Sequence, residues 1–291
     1  MNKKRGITYM IVASTSFALM GLTVRMSGGS IPIFEQLLSR NFFIAILSFI
    51  LLKRAGLSIL PEKANVKDLV FRCLFGFMGT VAVFYANRNL LLADAQLLQK
   101  LSPFLVAFFA WVLSKERVSR RTMIGMLLAF TGALFVIGPS GNFANFATFV
   151  GLSSAVFSAL AYSFIHKLAG REPGLRIIFI FSLFSLFATV PLALPTLIMP
   201  TLKDIGMLFL IGTFASGGQY FVTNAYQLAP AAQVAIFDYT GLILSPLLGF
   251  LFLSELPKWP TFVGAFFIIL GAWVSIERSE GILPPSNKQE E

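Results

Sequence analysis

Long apolar stretches recur along this chain at roughly residues 6–26, 33–52, 68–90, 94–114, 121–138, 146–168, 175–198, 203–228, 232–254 and 260–277, each about the length needed to cross the hydrocarbon core of a bilayer. Lipid offers no partner to a free backbone N–H or C=O, so only helices and closed barrels can span it. The ten-residue alternation of a membrane barrel is absent. The expected fold is therefore all-α and integral to the membrane, with ten transmembrane helices. Composition agrees: 56% of residues are hydrophobic and only 12% are charged, against roughly 25% charged in soluble domains. The 291 residues leave no room for a sizeable soluble domain once ten spans are assigned. Lys3, Lys4 and Arg5 precede an apolar run in the manner of a signal peptide. That run is too long for a cleaved segment, and it is read as a retained first span.

The chain repeats itself. Glu116, Gly125 and Gly132 are spaced as Glu255, Gly264 and Gly271 are, at an offset of 139 residues. The same offset sets Gly79 on Gly218, Ala86 on Ala225, and Gln99-Lys100 on Asp238-Tyr239. Two halves of five spans each are implied, and because five is odd the second half must insert upside down. Domain boundaries follow: a first repeat over residues 1–140 (spans 1–5), a second over 146–278 (spans 6–10), and a cytoplasmic tail over 279–291.

Loop charge provides an independent test, since cytoplasmic loops collect Lys and Arg. With the N-terminus placed in the cytoplasm, seventeen of the 23 basic residues fall on the inner side, Arg72 being counted among them. Only Arg25, Arg88, Lys203 and Lys258 fall outside, and Arg40 and Lys100 remain within spans. Both termini are expected in the cytoplasm, in the inner membrane of a cell. The net charge of +10, which in a soluble protein would suggest nucleic acid, is explained by this asymmetry, and no nucleic-acid partner is expected. The partners are the lipid bilayer and a small-molecule solute, with the chain a monomer or homodimer.

Three stretches carry a family resemblance: Phe84-Tyr85-Ala86-Asn87-Arg88-Asn89 onward to Ala95, the helix end Ser114-Lys115-Glu116-Arg117, and Asn224-Ala225-Tyr226-Gln227-Leu228-Ala229-Pro230 running into Ile236-Phe237-Asp238-Tyr239-Thr240. They resemble EamA-type members of the drug/metabolite transporter superfamily over nearly the whole chain. The resemblance implies two inverted EamA repeats, alternating access, and a cavity formed mainly by spans 1, 3, 4, 6, 8 and 9. Relatives carry solutes as varied as amino acids, S-adenosylmethionine and riboflavin, so it implies solute transport without choosing the solute.

Ionisable side chains inside spans cost about 2.5 to 3.5 kcal/mol on insertion scales, so each calls for a reason. Arg40 lies roughly 10 Å inside span 2 at 1.5 Å per residue. It either recognises a carboxylate or phosphate on the solute or pairs with Glu35. Gln96, Gln99 and Lys100 occupy adjacent turns of span 4 and are expected to face a cavity, unless Lys100 snorkels outward or pairs with Asp94. Asp238 and Tyr239 hold the matched place in span 9. On a helical rise alone Lys100 and Asp238 should stand roughly 10 to 15 Å apart along the membrane normal, with a metabolite between them. Asp238 is the candidate for proton coupling, or else a hydrogen-bond partner to a neighbouring helix. Tyr85, Tyr162 and Tyr220 are candidates to stack on an aromatic solute. Pro103 and Pro246 would interrupt spans 4 and 9 and permit gating. Gly125, Gly132, Gly264 and Gly271 should serve close helix packing.

The single His166 and single Cys73 leave no metal or nucleophile cluster. No H-E-x-x-H, G-x-S-x-G or P-loop is present, so neither an enzyme, a cofactor nor direct ATP use is expected. The expectation is a secondary transporter for a small polar or amphipathic metabolite, anionic or zwitterionic, such as an amino acid, a nucleotide-like compound or S-adenosylmethionine. It would work by alternating access, coupled to protons or as an exchanger. The alternative is a membrane sensor or assembly partner that transports nothing.

Overall fold

A computed structural model describes residues 3–114, 120–137, 146–229 and 234–275. Their regular structure is helical throughout, with no strand among the described residues. The helices are α1 (Lys3–Met26), α2 (Ile33–Arg54), α3 (Val66–Asn89), α4 (Leu92–Gln99), α5 (Ser102–Ser114) and α6 (Arg120–Ile137). After them come α7 (Phe146–Lys167), α8 (Gly174–Ala193), α9 (Leu202–Leu228), α10 (Thr240–Leu253) and α11 (Trp259–Ser275). Six of these, α1, α2, α3, α7, α8 and α9, are long and apolar enough to cross a membrane. The segment 279–291, expected as a tail, and Glu116 lie outside the described residues.

The packing reflects the apolar sequence. Phe42, Ile46, Leu127, Phe250 and Phe266 are exposed on the outer faces, as expected where lipid rather than water is the solvent. Inside, the main pairings set α1 against α9, α3 against α7, α2 against α8 and α9, and α6 against α11. The last pair is the closest. A Cβ on Gly132 would lie 2.6 Å from the Gly264 carbonyl oxygen, and one on Gly271 would lie 2.5 Å from that of Gly125. Backbone approach of this kind excludes any side chain, which is the advantage of small residues where packing rather than hydrophobicity joins helices.

Span 4, expected as one helix, is broken. α4 ends at Gln99 and α5 restarts at Ser102. The Lys100 N–H is shared between the Gln96 and Leu97 carbonyls, and Leu101 N–H bonds to Leu98, so the last turn tightens. Pro103 follows in the first turn of α5, where a missing N–H costs nothing. Span 9 changes character in the same way. A 3₁₀ turn over Ile236–Tyr239 leads into α10, and Pro246 sits inside α10, which continues through it. The expectation that Pro246 interrupts this span is thus corrected: the irregular turn lies before Thr240, where i→i+3 bonds replace i→i+4 ones.

Each break is sealed by a side chain from elsewhere. The Tyr239 hydroxyl donates to the Lys100 carbonyl at 3.0 Å. Ser14 of α1 donates to the Asp238 carbonyl at 2.6 Å and accepts from Gly241 N–H at 2.9 Å. Broken helices persist in apolar surroundings when freed backbone groups are paired in this manner.

The two ends of the bundle are tied by charge. At one end Arg25 meets Glu255 at 2.7 Å, Glu255 accepts from the first N–H of α4 at Leu92, and Arg25 donates to the Arg88 carbonyl. At the other, Lys167 meets Asp68 at 2.8 Å. Beside that pair Glu172 accepts from Glu62 N–H, Asn65 and Arg176. Burial pushes the Glu172 carboxyl up, but those hydrogen bonds, Glu62 N–H foremost, outweigh it and hold the group below the usual carboxylate range.

Candidate functional site

Midway along the helices the bundle forms a half-open cleft, whose empty space together with the open solvent at its mouth is about 540 Å³. α1 contributes Phe17 and Met20, α3 runs along it from Arg72 through Gly76 and Thr80 to Phe84, and α4 adds Gln96 and Gln99. α7 supplies Ser158 and Tyr162, α2 Arg40, α8 Phe181 and α9 Gln219. Compared with the wall that the resemblance implies, α2 and α8 join it and span 9 does not reach it.

Two guanidinium groups dominate the chemistry. Arg40 is 3% exposed and Arg72 is 2% exposed. Arg40 donates to Asn41 Oδ1 at 2.7 Å and to Gln219 Oε1 at 3.3 Å. Its Nε has no acceptor, and neither do Nε and Nη1 of Arg72. Both cations approach the Phe181 ring, Arg72 at 4.1 Å and Arg40 at 5.6 Å from the centroid. No carboxylate pairs with either among the described residues, whose ion pairs are Arg25–Glu255, Lys100–Asp238, Lys167–Asp68 and Arg176–Glu172. Magnitudes matter here. A desolvated cation–π contact is worth about 2 kcal/mol, while a buried ion costs several kcal/mol even after relaxation. Arginine cannot escape by shedding its proton. The cavity is therefore strongly electropositive and undercompensated.

Gly76 makes room for this arrangement. A Cβ there would overlap Arg72 Nη1 and lie 2.8 Å from the Phe181 ring, so the bare backbone lets the guanidinium fold back one helical turn onto α3. Around the cations lie amides and rings. Gln96 donates to Asn87 at 3.3 Å, Gln219 donates to Thr223 at 3.1 Å, and Tyr162 stacks on Tyr226 at 5.0 Å.

The structure brings Arg40, Gln96, Gln99 and Tyr162 to one cavity, and the other candidates do not line it. Lys100 and Asp238 do not line the cavity. They form a direct ion pair at 2.8 Å, which corrects the expected separation of roughly 10 to 15 Å. The calculation assumed two continuous helices, whereas both helices break at these residues and the breaks meet beside α1. Tyr239 is engaged with the Lys100 carbonyl. Tyr85 meets Phe146 edge-on, and Tyr220 meets Phe221 likewise, both away from the cavity. Glu35 accepts from Ile198 N–H instead of pairing with Arg40, and Asp94 accepts from Thr261 instead of Lys100. Arg72, counted above as a loop cation, belongs to the site. The signal was there: Arg72 lies inside the apolar run, and a glycine stands four residues on, under its own side chain. Gln219, a polar residue in mid-helix, was equally visible.

A bundle of apolar helices around a polar cavity at mid-depth is the build of a membrane transporter. The model of the EamA-like transporter family matches the chain twice, over residues 4–138 and 145–276. The chain belongs to this family, within the drug/metabolite transporter superfamily, and is a multi-pass membrane protein. It is 30% identical to the pseudopaline exporter CntI of Pseudomonas aeruginosa (strain UCBPP-PA14), covering 95% of this chain and 97% of that one. A riboflavin transporter of Rhizobium johnstonii is 27% identical, over 94% and 91% of the two chains. A solved crystal structure superposes with a TM-score of 0.69 at 18% identity, covering 94% of this chain and 95% of the other, a likeness of fold.

Proposed function

We propose that this protein is a secondary transporter for a small anionic metabolite, bound between Arg40 and Arg72 and carried by alternating access. The observation behind this reading is the pair of buried guanidinium groups that line one cavity with no carboxylate partner among the described residues. An anionic cargo supplies the missing charge, and Gln96, Gln99 and Gln219 offer further hydrogen bonds to it. Relatives named for pseudopaline and riboflavin support reading the cargo as a small metabolite.

In this reading the spans number ten, α4 with α5 making one and the 3₁₀ turn with α10 another. The halves are inverted repeats of residues 1–140 and 146–278, with both termini in the cytoplasm and the protein in the inner membrane. The reciprocal contacts of Gly132 with Gly264 and Gly271 with Gly125 support a pseudo-two-fold axis, because residues at matched places exchange partners across such an axis. Gating belongs to the two breaks, beside Pro103 in one half and ahead of Pro246 in the other. Asp238 couples protons in this scheme by releasing Lys100 when it is protonated.

The test uses purified protein in liposomes, with amino acids, nucleotides, S-adenosylmethionine and flavins offered with and without a proton gradient. Uptake of an anion or zwitterion that falls at least tenfold in Arg40→Gln and in Arg72→Gln, at normal expression, is the expected result. Undiminished uptake in both variants sinks the assignment. A chain that moves no solute at all is instead a sensor or assembly partner.

A further inference from the structure

The anion-binding reading leaves the valence of the cargo open, and the arrangement of charges in the bundle bears on it. Among the described residues three cations, Arg40, Arg72 and Lys100, are buried near the middle of the helices. Lys100 is matched by Asp238 at 2.8 Å, so its charge is already answered. Arg40 and Arg72 are not matched among the described residues, and the cavity they line carries two positive charges. A monovalent anion would neutralise one and leave the other buried without a counter-ion, at a cost that is large wherever water is excluded.

We infer, building on the proposed function, that the cargo is a divalent anion, with Arg40 and Arg72 each receiving one of its two charges. Arg40 is held by neutral partners, Asn41 and Gln219, and its Nε is buried without an acceptor, so its charge is unanswered among the described residues. Arg72 Nε and Nη1 are buried without acceptors too, and its guanidinium lies over Gly76 and against the Phe181 ring. Phe181 stands against both guanidinium groups, so the two charges face one aromatic surface. Phe17, Met20, Val83, Phe84 and Tyr162 make up much of the rest of the wall, an apolar lining suited to a carbon skeleton between the two charges. Two carboxylates on a carbon skeleton match this lining, and a single compact phosphate carries the same valence.

Binding to the full chain in detergent, followed by thermal shift at pH 7.5 and constant ionic strength, tests the inference. The probes are pairs that differ by one carboxylate on one skeleton: succinate against butyrate, glutarate against pentanoate, and phthalate against benzoate. Inorganic phosphate serves as the compact dianion. The expected result is at least tenfold tighter binding of the dianion in one or more pairs, with phosphate weaker. Arg40→Gln and Arg72→Gln should each bring that ratio close to one while retaining the monoanion. Equal binding within every pair overturns the divalent assignment and leaves the anion site standing. No stabilisation by any anion overturns the anion site itself. Phosphate binding tighter than every dicarboxylate overturns the placement of one charge on each arginine. The wild-type ratio alone decides the valence, so a variant that fails to fold removes only the second readout.

Discussion

Two buried cation sites near the middle of the helices, among the described residues, are built on opposite plans. At the junction of the broken helices Lys100 has its own carboxylate, and Tyr239 and Ser14 seal the surrounding backbone. In the cavity Arg40 and Arg72 have rings and amides but no acid among the described residues. Both place a positive charge where lipid or protein replaces water, yet only the first is closed within the protein. A closed pair holds elements together, whereas an open pair is completed by something that comes and goes.

Removing one partner shows how far the closed site depends on closure, and this should give the largest effect. Asp238→Asn leaves Lys100 uncompensated, and loss of one member of a buried pair costs about 3–5 kcal/mol. The Asp238 side chain is 23% exposed, which puts the expected loss at the lower end of that range. Thermal melting in detergent measures it. The double variant Lys100→Met/Asp238→Leu should regain most of the stability, since an apolar pair of similar volume replaces a buried ion pair at little cost. A double variant as unstable as the single one would mean that the charges themselves hold the junction.

The open site should behave in the reverse sense. Arg72→Gln removes a buried cation that has no protein counter-ion, so the melting temperature should stay level or rise by about 1 kcal/mol equivalent, even as transport falls. A strongly destabilised Arg72→Gln would erase the contrast between the two sites. Gly76→Ala is gentler. The added methyl overlaps the far end of the Arg72 side chain, which can swing aside, so KM should rise several-fold with kcat nearly constant, and Gly76→Ser should do the same. An unchanged KM would mean that the position of Arg72 is immaterial.

Glu172 offers the smallest effect and a control outside the membrane. Its lowered pKa means that it stabilises the fold fully above the ordinary glutamate pKa, and that the contribution fades as pH falls through the lowered value. Wild type should therefore exceed Glu172→Gln in melting temperature by about 1 kcal/mol equivalent at pH 7. The gap should close below about pH 4. A gap independent of pH would assign the effect to packing.

Much of this was legible in the chain. The run of apolar segments dictated a helical membrane protein, because backbone hydrogen bonds in lipid leave few alternatives. The spacing of Gly125 and Gly132 against Gly264 and Gly271 marked surfaces that the structure brings together. Arg40, Gln96 and Gln99 were recognisable as polar groups in apolar helices, since insertion costs make each one conspicuous. Arg72 was hidden because it follows Lys63 and Lys67 closely in sequence and so reads with the loop cations.

What the sequence by itself determined is the class of fold, the repetition, and the burial of Arg40, Gln96 and Lys100 within it. Those depend on hydropathy and spacing, which are local properties of the chain. Only the tertiary structure decided that Lys100 is answered by Asp238, that Arg72 joins Arg40, and that one phenylalanine ring serves both arginines. Pairing of charges depends on where helices break and which side chains then meet, and in this chain the partners lie 138 residues apart for Lys100 and Asp238 and 179 apart for Arg40 and Gln219.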